Sequence, residues 1–177
     1  MNAEPDIEML VTGARNGDAR AFERLVTMHY DFIFKVAFKW RRNRTDAEDI
    51  AQDACIRLAR SIQDFSGEAA FTSWLYRLTI NAAIDWQRRN GKEKQGGETD
   101  EVAVQPQAES QLYAREILAQ IDLLPVKEKT ALLLVFSEGL SHAEAAAAMD
   151  VRESTVSWYI HEARKKLGVG KGERRHG

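Results

Sequence analysis

Four side chains between residues 77 and 88 have the types and the spacing to handle a nucleic acid. Arg77, Asn81, Asp85 and Arg88 fall at i, i+4, i+8 and i+11, which places them on one face of a helix. An asparagine amide can pair with a base edge, and an arginine with a base edge or a phosphate. Arg88 and Arg89 together suit phosphates. Just upstream, Asp64-Phe65-Ser66-Gly67 opens a short polar loop whose backbone amides could hold an unstacked base. An unpaired strand offers base edges and faces that a duplex hides.

A second group is acidic. The segment DAEDIAQD (46–53) belongs to a helix whose Ile50, Ala51, Ala54, Cys55 and Leu58 face inward. Asp46, Glu48, Asp49, Gln52, Asp53 and Arg57 are then left mostly outward. Clustered carboxylates repel one another, and a basic or polar partner groove would relieve that repulsion. A plain solvated face is the alternative. A third group closes the chain. A short alanine-rich helix, the turn Met149-Asp150-Val151 and a longer helix ending in Arg164-Lys165-Lys166 form a helix-turn-helix pattern. Its last helix would enter a major groove with its N-terminal half, while Arg164, Lys165 and Lys166 meet phosphates. A three-helix protein-binding bundle is the alternative.

The elements that must position these groups read as helices throughout. The first covers about residues 5–15, with Ile7, Leu10, Val11 and Ala14 on one face. Gly17-Asp18 ends it, and Asp18 can cap the next. That helix runs to about Arg41 on a stripe of Phe22, Leu25, Val26, Ile33, Val36, Ala37 and Trp40. His29 lies on or beside the stripe as a core or boundary residue. Thr45-Asp46-Ala47-Glu48 reads as a capping box in which Thr45 caps and Glu48 reaches back. Gln63–Ala70 is a loop broken at Ser66-Gly67. The next helix, about 70–90, turns Phe71, Trp74, Leu75, Leu78 and Ala82 to a core.

Residues 91–108 have glycine, glutamine and charge but no periodicity, as a flexible linker at a domain boundary does. The second domain starts near Glu109. One helix carries Leu112, Ile117, Leu118, Ile121 and Leu124, with Pro125 after it. Another covers about 126–137 and ends at Gly139. Ser141-His142-Ala143-Glu144 is a second capping box. The final helix places Val156, Ile160, Ala163 and Leu167 on one face. At 100° per residue, Trp158 points about the opposite way from Val156, and an exposed tryptophan needs a partner, either thymine methyls or sugars in DNA or the surface of a protein.

Composition narrows the function classes. The 177 residues are 44% hydrophobic, enough to bury a core in one or two domains. No run of 18 apolar residues occurs, so no membrane span is expected. MNAEPDIEML has neither the basic nor the apolar part of a signal peptide. Cys55 is the single cysteine, which fits a reducing cytoplasm. It has no nucleophile motif around it. The four histidines, at 29, 142, 161 and 176, match no metal-binding spacing. GVGKG (168–172) lacks the full phosphate-loop pattern. No enzyme, metal, cofactor or small-molecule substrate is therefore expected. The net charge of −2 hides segregation: residues 73–94 carry +3 and 152–177 carry +4, while 1–72 carry −2 and 95–151 carry −7. Two basic islands on acidic ground suit a protein that meets nucleic acid at two places.

Taken in order, these motifs resemble an extracytoplasmic-function sigma factor of the sigma-70 family, over about residues 8–90 and 109–168. DAEDIAQDA resembles the segment that docks on the clamp helices of RNA polymerase, through Asp46, Glu48, Asp49, Gln52 and Asp53. FSGEAAFTSWLYRLTINAAIDWQRR resembles the segment that melts and reads the minus-ten element. The resemblance assigns that DNA to Asp64, Phe65, Ser66, Gly67, Arg77, Asn81, Arg88 and Arg89, with a flipped base held by the loop around Asp64–Gly67. LPVKEKTALLLVFSEGLSHAEAAAAMDVRESTVSWYIHEARKKL resembles the domain that reads the minus-thirty-five element. There the contacts fall to Arg152, Glu153, Ser154, Thr155, Ser157, Trp158, His161, Arg164 and Lys165.

The implied fold is all-α. A polymerase- and minus-ten-binding domain (1–90) and a helix-turn-helix (winged-helix-like) DNA-binding domain (109–170) are joined by the linker, with a tail at 171–177. The implied partners are core RNA polymerase, promoter DNA and an anti-sigma factor. The linker would thread toward the RNA exit path. The last helix departs from the family. Where the family shows Thr-Val-Arg-Ser-Arg and then His-Arg-Ala-Arg, this chain has Thr155-Val156-Ser157-Trp158-Tyr159 and His161-Glu162-Ala163-Arg164. Three arginines are gone and two aromatics have arrived. Two other readings accommodate part of the chain. A one-component regulator would explain only the last domain. A sigma-like decoy that binds an anti-sigma protein would explain the altered helix but not the retained Arg77, Asn81, Arg88 and Arg89.

Overall fold

The computed structural model describes residues 6–68, 70–90 and 108–168, with no strand among them. The chain divides into two compact units, Met1–Asp100 and Glu101–Gly177. The predicted linker, save Ala108, and the predicted tail lie outside the described residues.

The first unit is built from α1 (Ile7–Arg15), α2 (Ala19–Arg41), α3 (Arg44–Ser61) and α4 (Phe71–Asn90), with a 3-10 turn at Ile62–Asp64. Asp18 caps α2 as expected, accepting from the backbone N–H groups of Arg20 and Ala21 at 2.9 and 3.3 Å. The α1–α2 contact is close enough to require a glycine: a Cβ on Gly13 would stand 2.9 Å from the Ala21 Cβ. Buried Leu25, Ile33, Trp40, Ile50, Leu58 and Leu75 supply the core, where α3 and α4 pack on α2 and on each other. His29 is buried among them. Its Nδ1 lies 2.9 Å from the Leu25 carbonyl, and its ring stands edge-on to Phe71.

The start of α3 differs from expectation. Arg42 takes a left-handed conformation (φ +52°), its N–H bonds the Phe38 carbonyl, and Asn43 caps α3 by accepting from the Asp46 N–H at 2.9 Å. Thr45 therefore lies inside the helix. Glu48 pairs with Arg44 (3.0 Å) rather than reaching back. The reason is the reversal at Arg42, which starts the helix two residues early and leaves Asn43 in the extended geometry a cap needs. Cys55, expected in the core, is only half-buried. Burial still pushes its thiol pKa up, which works against a reactive thiolate.

The second unit comprises α5 (Ala108–Asp122), α6 (Val126–Leu132) widening into a π-helical turn (Leu133–Ser137), α7 (His142–Met149) and α8 (Glu153–Lys166). Leu124, Leu132 and Ala163 meet in its core, with Ile121 and Leu167 packed against them. Val156 and Ile160 are buried on the same face of α8. Leu118, expected on the core face of α5, is exposed. The predicted helix 126–137 does not stay α-helical. Its end is wider, with the Glu138 N–H bonding the Leu133 carbonyl at 3.1 Å, and Phe136 is left exposed.

The capping box of α7 is present. The Ser141 hydroxyl accepts from the Glu144 N–H, and the Glu144 carboxylate accepts from the Ser141 N–H (2.8 Å) and hydroxyl (2.7 Å). The backbone bond first, and the hydroxyl second, hold the Glu144 carboxyl below its ordinary pKa. A lowered folded pKa gives stability that is present above the ordinary carboxylate range and lost as pH falls through the lowered value. Ser141→Ala is expected to cost about 0.5–2 kcal/mol of stability. It should also shrink, without abolishing, this acid-sensitive contribution, because the backbone bond remains. Urea unfolding at neutral and acidic pH measures both.

Candidate nucleic-acid and polymerase interfaces

On α4 the expected face forms. Asn81, Arg88 and Arg89 are exposed and Arg77 and Asp85 partly so. The helix is held from two sides, since Tyr76, Thr79, Ile80, Ala83 and Trp86 are buried as well as Phe71, Leu75 and Ala82. That second buried stripe leaves little of α4 open except the Arg77–Asn81–Arg88 face. The loop before it is rooted by aromatics. Phe65 packs on Trp74 (4.8 Å between ring centroids) and edge-on to Phe71 (5.8 Å). Phe65 is consequently buried and anchors the loop, whereas Asp64, Ser66, Gly67 and Glu68 are exposed. Gly67 takes φ +79°, a conformation that favours glycine. The Ser66 hydroxyl accepts from the Glu68 N–H at 3.3 Å.

The acidic face of α3 is smaller than expected. Asp46 is buried at 3% exposure, and its Oδ2 accepts from both Nε (3.1 Å) and Nη2 (2.9 Å) of Arg41. Arg41 in turn lies over the Trp86 ring, 4.6 Å from its centroid. Asp46 thus belongs to the packing of α2, α3 and α4. Asp49 and Gln52 are exposed and Glu48 and Asp53 partly so. Ile56, which the sequence reading missed, continues this row at 49% exposure. Its signal was available: it falls off the Ile50–Ala54–Leu58 stripe, one turn beyond Gln52 and Asp53.

A network of ion pairs joins the acidic helix to the basic one. Arg57 Nη2 lies 2.9 Å from both Asp53 on its own helix and Asp85 on α4. Arg88 approaches Asp85 at 3.2 Å and Arg89 approaches Asp53 at 3.5 Å. Burial acts against the Arg57 charge, but the bonds to Asp85 and Asp53 outweigh it and hold the pKa above its ordinary value.

In the second unit, Arg152, Glu153, Ser154, Ser157, Trp158, His161, Arg164 and Lys165 are exposed along α8 and its cap, with Thr155 partly so. The turn before α8 closes with Asp150 left-handed (φ +56°) and the Val151 N–H on the Ala146 carbonyl. His142 Nδ1 lies 2.8 Å from the Ser157 hydroxyl, tying α7 to α8. Lys166 is exposed but pairs with buried Glu128 at 2.6 Å, a tie to α6 that it would give up or share to meet a phosphate. No cluster of three or more His, Cys, Asp or Glu that could hold a metal occurs among the described residues. No helix there is long and apolar enough to cross a membrane.

A helical unit carrying a polar loop and a basic helix, followed by a helix-turn-helix unit, defines a class of transcription proteins, and sequence comparison agrees. The Sigma-70 region 2 family matches residues 25–93, and the Sigma-70, region 4 family matches residues 114–167. The chain is 32% identical to the ECF RNA polymerase sigma factor SigE of Mycolicibacterium smegmatis, over 83% of this chain and 60% of that protein. It is 30% identical to the ECF RNA polymerase sigma factor SigM of Mycobacterium tuberculosis, over 92% of this chain and 82% of that protein. Among solved structures, the sigma factor RpoE of Bartonella quintana, crystallised with the anti-sigma factor NepR, shares the fold. It has a TM-score of 0.61 at 20% identity, covering 84% of this chain and 95% of that one. The chain belongs to the ECF sigma factors of the sigma-70 family. The family is one of transcription regulators.

Proposed function

We propose that this chain is an alternative sigma factor that binds core bacterial RNA polymerase and directs initiation at a small set of promoters. One observation carries the reading most directly. The loop Asp64–Gly67, exposed except at its anchor Phe65, precedes α4, whose broad open face carries Arg77, Asn81 and Arg88. In this reading Glu48, Asp49, Gln52 and Asp53 dock on the polymerase, with Ile56 as the apolar centre of that surface. Asp46 supports the surface from beneath. The loop and Asn81 take unstacked bases of the minus-ten non-template strand, and base capture offsets the cost of melting. Arg88 and Arg89 hold phosphates. The exposed residues of α8 meet the minus-thirty-five duplex. In this reading an anti-sigma protein covers one or both units until a signal arrives; the RpoE of Bartonella quintana was crystallised with such a partner.

Run-off transcription with core polymerase on a library of promoter fragments tests the reading. Promoter-specific transcripts are expected only when the protein is added. Polymerase binding without transcripts would limit the protein to a partial sigma factor. Neither binding nor transcripts would favour the anti-sigma decoy instead.

A further inference from the structure

We infer that Trp158 makes the upstream promoter element of this protein a thymine-dependent site, with the indole packed on thymine 5-methyl groups in the major groove. The inference rests on the reading that α8 enters that groove. Trp158 is the sixth residue of α8 and points away from the buried stripe of Val156, Ile160 and Ala163. It is 56% exposed. The half-buried Tyr159 ring lies 5.4 Å from its own, centroid to centroid, which restricts how the indole can turn. An exposed indole recovers free energy when a contact removes it from water.

The surroundings choose the occupant. Arg152 stands exposed at one end of the helix, and Arg164 and Lys165 at the other. That arrangement suits a polyanion running past the indole. Bases are told apart in the major groove by type of contact: arginine or lysine for guanine, asparagine or glutamine for adenine, glutamate or aspartate for cytosine, serine or threonine for more than one base, and an apolar group for the thymine methyl. Exposed Glu153 and Ser154 are therefore polar readers at the start of the helix, and the indole is its apolar one. From Glu153 to Tyr159 the helix has no arginine, lysine, asparagine or glutamine. The Ser157 hydroxyl is engaged with His142 and with the Glu153 carbonyl (2.8 and 3.2 Å). The indole is therefore the largest reading group on this half of the helix, and thymine is the base it can distinguish.

The test uses the full chain with core polymerase on a promoter fragment identified by run-off transcription. Thymines of the upstream element are replaced one at a time by uracil, which removes only the methyl group. Each methyl that the indole covers is expected to cost about fourfold in binding, the worth of one buried methyl(ene). Trp158→Ala should bind the thymine and uracil fragments equally, with an unchanged circular dichroism spectrum because the side chain is exposed. Trp158→Phe should keep part of the difference. Arg164→Ala should weaken both fragments alike. If uracil changes nothing while Arg164→Ala still weakens binding, the inference is overturned and the DNA-binding reading of α8 stands. If neither matters, that reading falls and the inference with it. Loss of an anti-sigma protein in Trp158→Ala, with no uracil effect, would overturn it too and place the indole on a protein partner.

Discussion

Asp46→Ala is expected to destabilise the first unit by about 2–3 kcal/mol, at or just below the bottom of the roughly 3–5 kcal/mol that breaking a fully buried ion pair costs. The side chain is 4% exposed and takes two hydrogen bonds from Arg41. Its loss strands a guanidinium that is 20% exposed and still rests on Trp86. That partial solvation and the aromatic contact keep the penalty below that of a fully buried charge. Asp46 also sits in the first turn of α3, where a carboxylate favours the helix N-terminus. Asp49→Ala, three residues on and exposed, should stay within about 0.5 kcal/mol of the parent while weakening polymerase binding. Urea unfolding and a polymerase pull-down on both proteins separate the two roles. Unchanged unfolding of Asp46→Ala together with lost polymerase binding would return Asp46 to the docking surface.

That pair of residues shows what could be read from the sequence and what could not. The helices, save the π-helical end of 126–137, the two units, the Ser141 capping box and the open face of α4 were legible, because each rests on periodicity or on a local turn. Asp46 was not. A carboxylate beside Asp49 looks solvated until a partner arrives from another helix, and Arg41 reaches it only because Arg42 reverses the chain. The same reversal moved the cap from Thr45 to Asn43. The ion pair of Lys166 was hidden for a similar reason. Its partner Glu128 lies on α6, far away in sequence, and nothing local separates it from Arg164 and Lys165. The second buried stripe of α4 was missed because the helix packs against both α2 and α3, which a single-face pattern does not anticipate. The Arg57 network was likewise invisible, since it depends on α3 and α4 lying side by side.

Asn81→Ala is expected to reduce discrimination at a single base position of the minus-ten element by about 1–3 kcal/mol, the worth of one good bidentate base contact. The residue is exposed, so stability should move by no more than about 0.5 kcal/mol. Transcription from promoters substituted one base at a time gives the measurement, because only one column of the preference should flatten. Arg88→Ala makes the contrast. A phosphate contact carries no sequence information, so its loss should weaken all promoters alike and lower the salt dependence of binding, by about 0.7 in logarithmic slope for a single strand. The arginine effect should also be muted. Arg88 is tied to Asp85 in the free protein and gives up that pair to reach a phosphate. Asn81 has no charge to release, so its effect should appear undiminished and at one position. Uniform weakening by Asn81→Ala across every promoter would mean that Asn81 positions the strand and that its sequence is read elsewhere, with the Asp64–Gly67 loop the next place to test.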